Sequence, residues 1–169
     1  MTRRRTAPPG APKTPIVVGL KKEARTSTPP PPLILLVDDN HDARAMYSVC
    51  LRYAGFACMT AQDGRQAIQR TSERRPALIL MDVSMPGMDG WEATLRIKGD
   101  PITRDIPIYM LTAHAYAEHR RHAVEVGADG FLTKPMSPDD LVRELRRALN
   151  LGDPDLPMNC SAAPGTGTA

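Results

Sequence analysis

The sequence has few of the features that mark secreted and membrane proteins. Its three cysteines, Cys50, Cys58 and Cys160, form no C-x-x-C pair, which argues against a disulfide framework and favours a reducing compartment. No run of 18 apolar residues is present, so the sequence predicts no membrane span. The three arginines at positions 3–5 are not followed by the apolar core of a signal peptide. We therefore expect a cytoplasmic protein.

Acidic residues are nearly absent from residues 1–32, which hold 8 of the 17 prolines and carry a net charge of +6. Residues 151–169 carry a net charge of −2 and are rich in small residues. The composition predicts a disordered, proline-rich basic arm over 1–32, one folded domain over 33–150 and a flexible tail over 151–169. The other interpretation of the arm is a basic tether to nucleic acid, an anionic membrane or an acidic partner. Its charges are not interleaved with aromatic residues, which argues against stacking on single strands.

Short apolar runs alternate with helical patterns through residues 33–150. The runs that have the length of buried strands are 33–37, 56–60, 78–81, 106–111 and 130–133. The helical patterns lie near 43–54, 64–74, 91–97, 116–126 and 137–149, and Asn40, Asp63 and Ser137 are predicted to cap three of them. Met46 and Leu95 are among the residues that the apolar stripes place inward. A βα unit repeated five times predicts an α/β fold, a doubly wound parallel sheet with helices on both faces.

Polar residues follow the strands of this predicted sheet at one end. Asp38 and Asp39 come after the first strand, and Asp82 follows the apolar run of the third. Thr112 and Lys134 follow the fourth and fifth strands. Because parallel strands place their carboxyl ends at one edge of the sheet, these side chains are predicted to form a single site.

Three clustered acids need a cation to balance them. Two carboxylates about 4 Å apart repel by about 4 kcal/mol at an effective dielectric near 20. A hard divalent ion with oxygen ligands, usually Mg²⁺, relieves this repulsion and leaves room for a phosphoryl oxygen. Lys134 and Thr112 can hold further phosphoryl oxygens, and Asp82 is placed as a nucleophile that forms an acyl phosphate. The pattern therefore indicates phosphoryl transfer.

The motifs of this chain resemble those of the receiver domain of two-component response regulators. Each motif is common alone, but their order and spacing are specific to that family and cover nearly all of residues 33–150. They are LVDDN at 36–40, MDVSMPGMDG at 81–90, LTAHA at 111–115, GADGF at 127–131 and KP at 134–135.

The resemblance implies a flavodoxin-like (βα)5 three-layer sandwich with strand order 2-1-3-4-5. It also implies that Asp82 accepts a phosphoryl group from a histidine kinase or a histidine phosphotransfer protein. Asp39 and Asp82 match direct ligands of Mg²⁺ or Mn²⁺, the backbone carbonyl of Ser84 matches a third, and Asp38 matches the acid that holds the ion through water.

Three further roles follow from the resemblance. Lys134 matches the lysine that binds the phosphoryl group, and Thr112 matches the switch hydroxyl. Phe131 stands at the aromatic switch position, where family members often have Tyr; a Phe offers no phenol hydroxyl to a partner. The face built by the fourth helix, fifth strand and fifth helix is then expected to bind an unknown downstream protein, with weak dimerisation as another possibility.

Three other functions remain open from the sequence. A phosphatase with an Asp nucleophile is disfavoured, since the acid expected two residues after that nucleophile is replaced by Ser84. An interaction module that ignores phosphorylation is disfavoured by the intact polar set. A transcription factor is disfavoured because about 19 residues follow Asn150, too few for a DNA-binding domain. We therefore expect a stand-alone receiver, or a receiver fragment of a hybrid kinase, that is a phosphoacceptor switch and not an enzyme.

Two features near the predicted site have no assigned role. His114 follows Thr112 by two residues and is interpreted as a rim residue, because no second His or Cys stands at zinc-site spacing. Residues 119–122 form the basic run His-Arg-Arg-His on the fourth helix. This run is interpreted as a solvated face, with a docking surface as the alternative.

Overall fold

The computed structural model describes residues 29–113 and 116–152. The five strands are β1 Leu33–Val37, β2 Ala57–Ala61, β3 Leu78–Asp82, β4 Ile108–Thr112 and β5 Gly130–Thr133. The five helices are α1 His41–Tyr53, α2 Gly64–Arg74, α3 Gly90–Gly99, α4 Ala117–Glu125 and α5 Pro138–Ala148. No helix in the described residues is long and apolar enough to span a membrane.

The strands form one parallel sheet in the order β2-β1-β3-β4-β5, which confirms the predicted topology. Alternate residues of each strand face opposite sides, as the period of two requires. In β1, Leu35 and Val37 face the core beneath α2, α3 and α4, whereas Ile34 and Leu36 face the core beneath α1 and α5. The result is a three-layer sandwich with its central strands buried on both faces.

The boundary of β4 differs most from the sequence prediction. The sequence predicts a strand from Ile106, but β4 begins at Ile108. The amide of Ile106 donates to the carbonyl of Thr103 at 3.0 Å, so this residue closes a turn before the ladder starts. The strand predicted at 56–60 lies one residue later, since the amide of Phe56 donates to Leu51 at the end of α1.

Two apolar residues predicted to face inward lie outside. Met46 on α1 is 46% exposed and Leu95 on α3 is 57% exposed. In α3 the buried positions are Gly90, Ala93, Thr94 and Ile97. Small residues at the first three of these four positions bring the helix close to the sheet, and Leu95 is turned to solvent. The predicted side of Leu95 is therefore wrong.

The predicted helix caps are confirmed. The side chain of Asn40 accepts hydrogen bonds from the amides of Asp42 and Ala43, and Asp63 accepts one from Gln66. The hydroxyl of Ser137 accepts one from the amide of Asp140. Each cap satisfies a backbone donor that the first turn leaves without a partner.

Lys98 joins the end of α3 to the loops around β4. Its ammonium donates to the carboxylate of Asp129 at 2.6 Å, and to the carbonyls of Arg104 and Ile106 at 3.1 and 2.9 Å. The same Asp129 oxygen accepts the amide of Ile108 at 2.8 Å. This side chain is only 15% exposed, so water replaces its partners poorly.

We expect Lys98→Met to lower the free energy of unfolding by about 1–3 kcal/mol, because three acceptors, of which the Ile106 carbonyl is partly buried, lose their donor. Urea unfolding measures this change. The matched control is Arg96→Met on the same helix, which removes an exposed pair with Glu92 and should change the free energy by less than about 1 kcal/mol. Equal losses in the two variants would contradict the role of Lys98.

Both ends of the described chain lie at the amino end of the sheet. The carbonyl of Pro32 accepts the amide of Ala57 at the start of β2. The guanidinium of Arg146 donates to Ala54 at 3.0 Å and to Gly152 at 3.4 Å. The carboxyl ends of the strands, where the polar residues lie, are at the opposite pole.

Candidate functional site

Three of the predicted site residues meet in an ion-paired group. Asp38 directly follows β1, Asp82 ends β3, and Lys134 directly follows β5. The Lys134 Nζ lies 2.6 Å from Asp38 Oδ2 and 3.0 Å from Asp82 Oδ2. The strand ends thus bring together residues that are 96 positions apart in the chain.

Asp39 completes an acid cluster with Asp38 and Asp82. One carboxylate oxygen from each of the three lies within 4.8 Å of the others. Asp38 is fully buried and Asp82 is 5% exposed, whereas Asp39 is exposed at the mouth. The amide of Asn40 donates to Asp38 Oδ1 at 2.9 Å, which fixes this carboxylate while its other oxygen pairs with Lys134. The three acids therefore form one oxygen-lined pocket that opens at Asp39.

Burial and charge act in opposite directions on the ionisable groups of this pocket. Burial raises the pKa of Asp82 above its ordinary value, and the ammonium of Lys134 only partly opposes this. Burial lowers the pKa of Lys134, but its hydrogen bonds to Asp38 and Asp82 outweigh burial and leave the pKa raised. Lys134 is therefore a cation at neutral pH.

The loop between β3 and α3 is held tightly against Asp82. The amide of Ser84 donates to the Asp82 carboxylate, and the amide of Gly90 donates to the carbonyl of Val83 at 3.0 Å. A Cβ at position 90 would lie 2.1 Å from the Asp82 carbonyl oxygen. Position 90 therefore has room only for glycine, and the hydrogen bond to Val83 ties this end of the loop to the backbone that follows Asp82.

Thr112 and Phe131 lie on the two strands beyond Asp82. Thr112 is 1% exposed, and its carbonyl accepts the amide of Lys134 at 2.7 Å. Phe131 pairs with Met110 in the β4–β5 ladder and is partly buried. It lines a cavity of about 310 Å³ between α4 and β5, and another of about 610 Å³ between β5 and α5. His114 lies outside the described residues.

The acid cluster fits a small divalent cation. Three carboxylates face one ammonium, which leaves negative charge uncompensated, and all of the donor atoms are oxygens. Hard ions such as Mg²⁺ prefer this donor set. Among the described residues, this is the one group that could hold a metal through three His, Cys, Asp or Glu ligands.

Residues 34–146 match the family model described as "Response regulator receiver domain". The chain belongs to this receiver family. Its fold agrees, since the chemotaxis protein CheY4 of Vibrio cholerae aligns with a TM-score of 0.67 at 36% identity, over 69% of this chain and 98% of CheY4. The family expectation drawn from the motifs is confirmed.

Two further receiver-containing proteins illustrate the likeness. The phosphate regulon transcriptional regulatory protein PhoB of Pseudomonas aeruginosa is 42% identical over 124 residues, covering 72% of this chain and 54% of PhoB. The chain spans about half the length of the curated relatives it matches. The receiver domain of a Pseudomonas aeruginosa sensor histidine kinase, solved with magnesium in its active-site cleft, has a TM-score of 0.66 at 33% identity, over 71% of this chain and 98% of that domain.

Sequence reasoning missed two aromatic residues beside the receiver site. The sequence predicts no functional role for Tyr47, but its hydroxyl donates to the Met136 carbonyl at 3.3 Å, two residues after Lys134. Burial raises the pKa of this phenol. Trp91 contacts two histidines of α4. A contact between two different elements of the fold leaves no periodic signal in the sequence of either element.

Proposed function

We propose that Asp82 of this receiver accepts a phosphoryl group from the phosphohistidine of a histidine kinase or a histidine phosphotransfer protein. The observation that carries the proposal is the ion-paired group, in which the ammonium of Lys134 lies between the buried carboxylates of Asp38 and Asp82, next to the exposed Asp39. Asp82 is held by Lys134 and by the amide of Ser84, so its carboxylate is oriented before a donor arrives.

Asp38, Asp39 and Asp82 would hold Mg²⁺ or Mn²⁺, together with the backbone carbonyl of Ser84. The donor atoms and the excess negative charge support this assignment. The ion, when bound, supplies positive charge that offsets the charge of the phosphoryl oxygens.

Removing divalent cations with a chelator should therefore stop phosphorylation of the wild-type protein.

The chain's own residues account for the transfer. A carboxylate oxygen of Asp82 forms a bond to phosphorus as the bond from phosphorus to the donor imidazole nitrogen breaks. The imidazole leaves with the electron pair of that bond, and an acyl phosphate remains on Asp82. Lys134 offsets charge on a phosphoryl oxygen, and the hydroxyl of Thr112 donates to another.

The phosphoryl group would then act as a switch. Drawing the Thr112 hydroxyl toward Asp82 vacates space beside Phe131, which already borders a cavity on each side of β5. Phosphorylation would thereby bias the face of α4, β5 and α5 between two arrangements, and an unidentified downstream protein would bind one of them.

Association of two copies through this face is the weaker proposal. We place the switch in the cytoplasm.

We propose that this protein is a phosphoacceptor that catalyses only its own phosphorylation and slow autodephosphorylation. Ser84, two residues beyond Asp82, cannot serve as the general acid and base that a phosphomonoester hydrolase needs there. An assay with an aryl phosphate tests this: the aryl alcohol should be released in a first phase of about one equivalent, followed only by slow release of phosphate at the rate of autodephosphorylation. Fast, sustained turnover would favour the phosphatase. Partner binding that is equal with and without label would favour a phosphorylation-independent module.

Lys134→Ala should leave Mg²⁺ binding measurable by calorimetry, because all three acids remain. Labelling of Asp82 by acetyl phosphate should slow by about 100-fold, the usual effect of losing one donor to a developing anion. In the molecules that do become labelled, the label should no longer change the rate of hydrogen exchange in β5. Arg143→Ala is the control, since it removes an exposed pair with Asp140. A Lys134→Ala protein that labels and repacks normally would contradict the role of this lysine.

A further inference from the structure

Helix α4 has the weakest anchorage among the helices in the described residues. It buries Ala123 alone, whereas each of the other four buries three or four residues. Tyr116, at its amino end, provides no side-chain capping bond, and Val124 is 76% exposed. Contacts made elsewhere on α4 are therefore a large part of what fixes its position.

One of these contacts joins α4 to the start of α3 through aromatic rings. The Trp91 ring lies 4.8 Å from the His122 ring at 72°, and 6.2 Å from the His119 ring at 61°. The His119 ring in turn lies 5.8 Å from that of Tyr116. His122 Nδ1 is 3.1 Å from a carboxylate oxygen of Glu125, which holds the ring in this orientation. These are edge-to-face geometries, which are favourable and depend on direction.

This contact connects the two chain segments that leave the phosphorylation site. Trp91 directly follows Gly90, which is packed against the carbonyl of Asp82 and bonded to Val83. Helix α4 begins five residues after Thr112. Movement of the segment after Thr112 would therefore shift the two histidines relative to Trp91, whose neighbour Gly90 is tied to Val83 and packed on Asp82.

We propose that Trp91, His119 and His122 form an aromatic latch that holds α4 on α3 and sets how far phosphorylation of Asp82 can displace α4. The inference rests on the proposed function. The latch residues are positioning residues, since Trp91 acts through α4 and does not belong to the acid cluster. An edge-to-face pair is worth about 0.5–1.5 kcal/mol beyond its buried area, so forming or breaking the latch changes the population of displaced α4 by a limited factor, about 2- to 10-fold.

Hydrogen exchange of the full-length protein, read on peptides from α4 and from α2, tests the latch in the absence of a phosphodonor. In Trp91→Leu and in His122→Gln, exchange of α4 should be about 2- to 10-fold faster, the range that corresponds to losing one aromatic pair. Exchange of α2 should not change. Trp91→Phe, which keeps an aromatic edge, should restore most of the protection.

The double variant makes the test specific. If Trp91 and His122 act through one contact, Trp91→Leu/His122→Gln should exchange no faster than Trp91→Leu. Additive effects, or equal acceleration of α2 and α4, would overturn the latch, because they would indicate separate roles or general destabilisation.

Labelling of Asp82 with acetyl phosphate and Mg²⁺ separates this inference from the proposed function. In the wild type, labelling should accelerate hydrogen exchange of α4. In Trp91→Leu, labelling should still proceed but should accelerate this exchange little further, because the latch is already open. If labelling accelerated exchange of α4 by the same factor in both proteins, the regulatory role of the latch would be overturned. A wild type that does not label would refute the proposed function, while exchange without the phosphodonor would still test the contact.

Discussion

Asp82→Asn should lower labelling by acetyl phosphate in the presence of Mg²⁺ by about 100-fold or more, as expected for loss of a nucleophile. An amide at this position has neither the charge nor the nucleophilicity of the carboxylate. The label on the wild type should be lost in base, as an acyl phosphate is, and the variant should carry none. Phosphate incorporation measured by intact-protein mass spectrometry reports both results.

The fold should survive this substitution. Burial raises the pKa of Asp82 in the folded protein, so ionising this carboxyl costs stability at pH values above its unfolded pKa. At neutral pH and without divalent ions, Asp82→Asn should therefore be at least as stable as the wild type, and urea unfolding checks this.

The matched control is Asp89→Asn, at the far end of the same loop. Asp89 caps α3 by accepting the amide of Glu92 at 2.8 Å, a bond that Asn also makes. It should label at the wild-type rate. Labelling of Asp82→Asn at the rate of this control would refute Asp82 as the phosphoacceptor.

Gly90→Ala should lower the free energy of unfolding by about 3 kcal/mol or more. The added Cβ would meet the carbonyl oxygen of Asp82 at 2.1 Å and the Cα of Val83 at 3.0 Å. Both are backbone atoms, so no side-chain rotation relieves the overlap. Urea unfolding measures the loss, and the labelling rate of the fraction that folds should fall as well, because the strain is relieved at Asp82.

Gly99→Ala is the control for Gly90→Ala. No atom lies within 4 Å of a Cβ at position 99, and this residue ends α3. The change should be neutral or stabilise by up to about 1 kcal/mol, because alanine loses less backbone entropy on folding. If the two variants had equal stability, the close packing of Gly90 on the end of β3 would be contradicted.

The parts of the fold that depend on local pattern were predictable from the sequence. The period of two in buried strands and the caps at Asn40, Asp63 and Ser137 depend on neighbouring residues only. The meeting of Asp38 with Asp82 and Lys134 was also predictable, because a parallel sheet has one carboxyl edge whatever its loops do. Functional residues at the ends of parallel strands can thus be identified from the sequence before the structure is known.

Features that depend on contact between elements were not predictable. Leu95 was expected to face the core because it is hydrophobic. Its hydrophobicity does not show that the small residues Ala93 and Thr94 let a different face of α3 approach the sheet. The burial of Asp38 beside an exposed Asp39 depends on which way the chain turns after β1. The meeting of Trp91 with His122 depends on how α3 and α4 cross. The side of a helix that faces the core, and the depth at which a side chain is buried, depend on packing between elements. The type of a single residue gives little information about either.

The positions of Pro32 and Gly152 have a consequence for protein engineering. Both lie at the amino end of the sheet, tied to the corner between α1 and β2, and the acid pocket opens at the other pole. A fluorophore, an affinity tag or a fused domain joined directly at Pro32 or Gly152 would therefore start on the side opposite the pocket. The receiver can be treated as a cassette, to be tethered to a surface or inserted between two other proteins while its pocket stays accessible to a phosphodonor.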